Sequence, residues 1–129
     1  MAAQLNHTIV WSSDQRASAE FFAGALGLPE PAKFSHFDVV AMANGVSLDF
    51  ATKDGPVAAQ HYAFLVSDAE FDAGLAWVQA RGLTIWADPA RHHPGEINRH
   101  WGGRGFYFEA PDGHLLELMT VTYGREEDA

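Results

Sequence analysis

Two stretches of this chain carry the same punctuation in the same order, and that internal repeat constrains the fold more than any other feature. Residues 4–11 (QLNHTIVW) alternate, with Leu5, His7, Ile9 and Trp11 on one face and Asn6, Thr8 and Val10 on the other. Such period-two alternation reads as a strand. Ser13 and Asp14 then offer a helix N-cap. Ala17, Phe21, Phe22, Ala25 and Leu26 form an apolar stripe at helical spacing, and Gly27 suits the C-cap. Three β-rich stretches follow around 33–37, 38–43 and 46–51, the last two joined by the hairpin dipeptide Asn44-Gly45. After a connector at Lys53-Asp54-Gly55-Pro56 the pattern begins again. Residues 59–66 read as a strand, Ser67-Asp68-Ala69-Glu70 as a capping box, and Phe71, Leu75 and Val78 as a helical stripe closed by Gly82. A short strand near 83–86 and an irregular stretch over 87–103 come next. Strands at 104–110 and 114–122, about the turn Pro111-Asp112-Gly113, complete the half. The predicted order is β-α-β-β-β, twice.

Laid over each other, the halves match His7 to His61 and Ser13-Asp14 to Ser67-Asp68 at a spacing of 54. NGVSLDF (44–50) matches DGHLLEL (112–118) at a spacing of 68, which sets Asp49 on Glu117. The additional residues enter mostly as the 87–103 stretch. Each half thus contributes one His on its first strand and one carboxylate on its last.

Composition narrows the chemistry. The 129 residues include no Cys, which excludes disulfides, thiolate zinc sites, iron–sulfur clusters and cysteine nucleophiles. The 47% hydrophobic share suits a chain that builds its own core. Seventeen acids against eight Lys and Arg give a net charge of −9, which argues against nucleic acid, since phosphate binding needs clustered cations. Glu126, Glu127 and Asp128 lie in a polar tail at 124–129. No run approaches a membrane span, and the first residues lack the basic flank of a signal peptide, so a cytoplasmic protein is expected. Gly102-Gly103-Arg104-Gly105 precedes a strand rather than a helix and is no phosphate loop. GxSxG, HExxH and Walker motifs are missing from the sequence.

Glu117 shares a strand face with Leu115, Met119 and Val121. A buried carboxylate there must meet a cation, because an unpaired one is costly. Asp49 sits with the small residues Ser47 and Ala51, a face suited to a cavity wall. Two His and one or two carboxylates on inward strand faces match the facial arrangement that holds a divalent metal with open positions. Singly, His7 and His61 read as core histidines; as a set they read as ligands. His92, His93 and His100 read as solvated loop residues, His36 as a surface residue, His114 as a turn residue, and Phe71 and Trp77 as helix-face core.

These residues resemble the vicinal oxygen chelate superfamily of glyoxalase I, extradiol dioxygenases, and fosfomycin- and bleomycin-resistance proteins. LNHTIV (5–10) and QHYAFLV (60–66) resemble its His-bearing strands, and GGRGFYFEAPDGHLLEL (102–118) its closing hairpin. The resemblance implies an α+β fold in which two pseudo-symmetric βαβββ modules, about 4–51 and 59–122, form one domain over 1–129. Their curved mixed sheets would enclose a metal-binding cleft. By position His7, His61 and Glu117 match the metal ligands, the ion being Fe, Mn, Ni, Zn or Co. Tyr107 matches a substrate-contacting Tyr of the fosfomycin enzymes, and Asp49 a further carboxylate of glyoxalase I, one methylene shorter. Where fosfomycin enzymes carry Thr two residues after the first His, this chain has Ile9.

The implied function is metal-dependent chemistry on a small substrate with vicinal oxygens, by a glyoxalase-like lyase or isomerase or an extradiol-type dioxygenase. Glu117, Asp49 and Tyr107 form the expected catalytic set. The alternative is sequestration of an antibiotic or small aromatic without chemistry. Arg91, Arg99 and Arg104 against the lone Glu96 give residues 91–104 a local cationic character, so Arg99, Arg104 and Trp101 join Tyr107 as expected contacts for an anionic or aromatic ligand. A homodimer is expected, with modules paired within a chain or swapped between chains.

Overall fold

Each half of the repeat forms its own compact unit, Met1–Ala58 and Ala59–Ala129. The computed structural model describes residues 2–122; the acidic tail at 124–129 lies outside the described residues. The first unit runs β1 (His7–Ser12), α1 (Gln15–Leu26), β2 (Ala32–Phe34), β3 (Phe37–Ala41) and β4 (Ser47–Thr52). Its sheet has the order β1-β4-β3-β2. β1 and β4 are parallel, with Ile9 beside Asp49, and the other two pairings are antiparallel.

Asp14 caps α1, its carboxylate accepting from the Ala17 N–H at 3.1 Å, and Gly27 ends the helix in the left-handed region at φ 67°. These are the ends that the sequence marks. Ala19, Phe22 and Ala23 of α1 are buried, as are Val10, Val40, Leu48 and Phe50 of the sheet; the Phe22 and Phe50 rings meet edge-on at 4.9 Å. Fully burying each such large side chain contributes about 2 kcal/mol.

The same side of the sheet carries a charge that sequence reading passed over. Asp38 is fully buried on β3 and accepts hydrogen bonds from Gln15 (2.8 Å), Lys33 (3.1 Å) and Arg16 (3.0 Å). Burial alone would raise its pKa, but the bonds from Gln15, Lys33 and Arg16 outweigh it and hold the carboxyl below its ordinary value. One carboxylate thereby ties α1 and β2 to β3.

The second unit repeats the order with β5 (His61–Leu65), α2 (Asp68–Ala80), β6 (Ile85–Trp86), β7 (Gly105–Glu109) and β8 (Leu115–Met119), in a sheet ordered β5-β8-β7-β6. Ser67 and Glu70 form the predicted capping box. Phe71 and Val78 are buried with Phe106, Phe108, Leu116 and Leu118, and Phe71 meets Phe106 edge-on at 5.2 Å. Trp77 departs from its expected core position. It is half-exposed, with the Arg81 guanidinium 3.5 Å from its ring centroid, because this chain's helix buries only the Phe71–Gly74–Val78 line.

β5 and β8 are parallel with Ala63 beside Glu117, the same step as Ile9 beside Asp49. The overlay of the halves is therefore also an overlay of strand register. The 87–103 stretch is stapled rather than loose: Gly95 N–H donates to Ile85 O at 2.8 Å, and Asn98 and Gly105 exchange backbone bonds of 2.8 and 3.1 Å. A Cβ at Gly103 would stand 2.6 Å from a Val121 methyl, so only glycine lets this segment close on the sheet end. Among the described residues no helix is long and apolar enough to cross a membrane.

Candidate metal centre

In the second unit β5 and β8 bring His61 and Glu117 together across a strand boundary. His61 Nδ1 lies 2.9 Å from Leu115 O. A carbonyl only accepts, so the ring proton must sit on Nδ1. The other nitrogen, Nε2, lies 3.2 Å from Glu117 Oε1. In a neutral ring that nitrogen carries a lone pair, and an ionised carboxylate is acceptor-only. Two acceptors this close require a proton or a cation between them.

Tyr107 on β7 stands directly opposite Glu117 in register. Its hydroxyl hydrogen-bonds the Glu117 carboxyl, and its ring stacks near that of His61 at 5.9 Å and 26°. Glu117 is 3% exposed. Burial pushes its pKa up, and the opposing pull of Tyr107 and His61, with a smaller share from His100, does not cancel that rise. A carboxylate destabilised in this way is a strong ligand for a cation.

In the first unit His7 and Asp49 share the open face of the sheet: His7 pairs with Ser47, and Asp49 lies two residues further along β4. His7 is exposed, its Nδ1 2.8 Å from Asn6 Oδ1. Asp49 is half-buried and accepts from Ser47 Oγ at 3.2 Å. Within neither unit are three His, Asp or Glu side chains gathered among the described residues. Each unit supplies one His and one carboxylate on one face, as the repeat implies.

The expected ligand contacts divide. Trp101 lies in a 3-10 turn (His100–Gly102) at φ 49°, ψ 32°, half-exposed, and with Leu65, Thr120, Val121 and Thr122 lines an open cavity of about 570 Å³. Arg99 is exposed beside it. Arg104 corrects the sequence reading. Its guanidinium bonds Asp72 at 2.8 Å and Asp68 at 2.9 Å, and lies 4.3 Å from the Phe71 ring centroid, so it clamps the entry to β7 onto α2. Arg91 is likewise paired, with Glu109 at 2.9 Å. The local cationic character of 91–104 is therefore largely neutralised in the fold. His92, His93, His100 and His36 are exposed as expected, but His114 is fully buried rather than a turn-side residue.

Comparison with known proteins agrees with this architecture. The family model described as Glyoxalase/Bleomycin resistance protein/Dioxygenase superfamily matches residues 4–118, and the chain belongs to that superfamily. The solved structure of oxidase ChaP-H1 is 54% identical with a TM-score of 0.93, over 96% of this chain and 100% of that one. Oxidase ChaP-H2 is 51% identical at the same TM-score, over 96% of this chain and 98% of its own. Glutathione transferase FosA of Serratia marcescens is 31% identical over 124 residues, 92% of this chain and 81% of its own length. These named relatives are enzymes.

Proposed function

We propose that the protein is a metal-dependent oxidative enzyme in which His7, His61 and Glu117 hold one divalent ion and a small substrate is bound through two neighbouring oxygens. The observation that carries this reading is the His61–Glu117 pair, whose facing lone pairs require a cation or a proton between them. A ligating His usually donates its other N–H to a carbonyl or carboxylate, and Leu115 O already accepts it. The donor set of imidazole and carboxylate suits Fe, Mn, Ni, Zn or Co. Likeness to an oxidase at 54% identity favours oxidation over glyoxalase-type isomerisation. When bound, such an ion acts as a Lewis acid and a template for a chelated substrate.

The chain's own residues supply the rest. Tyr107 orients Glu117 through its hydroxyl and would serve as a substrate contact. Asp49, held by Ser47, is the base or water-orienting group on the other face. Arg99 and Trp101 contact the ligand. Metal analysis of tag-free protein tests the centre: stoichiometric divalent metal is expected in the wild type and none in His61→Ala. Normal metal content in His61→Ala would overturn the assignment, and a metal-free wild type that binds a flat aromatic would favour sequestration instead.

We further propose that the protein acts as a homodimer, with its modules paired within a chain or swapped between chains; in the swapped form His7 and Asp49 of one chain would serve His61 and Glu117 of its partner. Mixing inactive His7→Ala and Glu117→Ala subunits is then expected to restore activity, since half of the sites in each mixed dimer are intact. No recovery in demonstrably mixed dimers means that each chain builds its own site.

A further inference from the structure

His114 is fully buried, yet its imidazole takes part in the main-chain ladder between β5 and β8. It follows Asp112 and Gly113, both at positive φ (66° and 81°), a turn that swings the backbone into the start of β8. Its Nδ1 accepts the Gln60 N–H at 3.0 Å. Gln60 O in turn accepts the Leu115 N–H at 2.8 Å, and Leu115 O accepts the His61 Nδ1 proton at 2.9 Å. An N–H can donate only to a ring nitrogen with a free lone pair, so His114 is neutral with its proton on Nε2. The Tyr62 ring packs edge-on against it at 5.6 Å. A side chain thus provides the first rung of the parallel pair, immediately before the rung that orients His61.

We infer that His114 is a positioning residue for the metal centre: through Gln60 and Leu115 it holds the His61 ring with Nδ1 bonded and Nε2 toward Glu117. Its functional meaning rests on the metal reading above, whereas its effect on the His61 ring does not. The test uses three variants. His114→Asn keeps an acceptor near the Nδ1 position, His114→Phe fills the space without one, and His114→Gln carries its amide one atom too far out.

Long-range ¹H–¹⁵N spectra of the metal-free proteins report the His61 tautomer, and titration calorimetry with Zn(II) alone reports affinity. Wild type and His114→Asn are expected to show His61 protonated at Nδ1, with Zn(II) affinities within a few-fold of each other. His114→Phe is expected to show mixed His61 tautomers and an affinity about 10–100-fold weaker, the usual range for losing outer support of a ligand. Should His114→Phe fail to fold, the comparison of His114→Asn with His114→Gln decides, the latter being expected to be the weaker. An unchanged tautomer and affinity in His114→Phe, or equal behaviour of Asn and Gln, overturns the role. A wild type that binds no Zn(II) through His61 overturns the metal centre alone, and the tautomer then decides for or against His114 by itself.

Discussion

Replacing Glu117 by Gln is expected to abolish metal retention and, at the same time, to raise the melting temperature of the metal-free protein at neutral pH. Burial raises the Glu117 pKa above its ordinary value of 4.5, so the native state holds this proton more tightly than the unfolded chain does. The stabilisation is fully present below that ordinary value and is lost as pH rises through the raised folded one. Once ionised, the buried carboxylate beside His61 Nε2 weakens the metal-free fold. A Gln amide offers a donor to His61 Nε2 and an acceptor to Tyr107, both already in place. The expected gain is about 1 kcal/mol, within the range seen when functional strain is relieved. Thermal melts of chelator-treated protein across pH check it: the wild type should lose stability as pH rises, and the variant should be flatter. With metal added the order reverses, because only the wild type gains binding free energy. A variant that melts lower at pH 7 without metal would show that Glu117 is not destabilising.

Asp38→Asn is expected to move stability the other way, by about 1.5–3 kcal/mol at neutral pH, the range for hydrogen bonds to a charged group. The wild-type carboxylate takes bonds from Gln15, Lys33 and Arg16 while fully buried. An amide reverses the polarity of one of its two ends and leaves a donor facing donors. Here the folded pKa is depressed below 3.8, so the stabilisation is present above the unfolded value and is lost as pH falls through the folded one. Urea titrations should therefore show a deficit at pH 7 that shrinks as the solution is acidified below that range. A deficit equal at neutral and acid pH would mean that shape, not charge, sets the cost. Asp38 and Glu117 thus impose pH slopes of opposite sign.

Much of this was legible in the sequence because the relevant signals are local. Alternation marked β1 and β5, caps marked α1 and α2, and Asn44-Gly45 marked the β3–β4 hairpin. The spacing of 68 set Asp49 against Glu117, which the register of the two sheets repeats. What escaped depends on partners distant in the chain. Arg104 reads as a free cation until α2 brings Asp68 and Asp72 to it. Asp38 draws no notice in the sequence because Gln15 and Arg16 reach it only once α1 is in place. His114 reads as a turn residue because nothing near it in sequence reveals that the Gln60 N–H, 54 positions earlier, donates to its ring. Trp77 reads as core for a different reason: the hydrophobic stripe of α2 is broad, and only packing selects which line of it is buried.

In both units the first strand pairs with the last, His7 with Ser47 and His61 with Leu115. No nascent fragment ending before β4 or β8 can complete either central ladder, so the ribosome must release most of a module before its core can form. Loop closure over such separations slows the search for the native pairing. The antiparallel hairpins close over far shorter spans and are free to assemble earlier, offering an edge to which β1 or β5 is added last. His7 and His61 ride on these late-joining strands, so the metal centre proposed above would be completed only with the final folding step of each half. A pulse of trapped intermediates should accordingly contain hairpins well before it contains protected amides in β1 and β5.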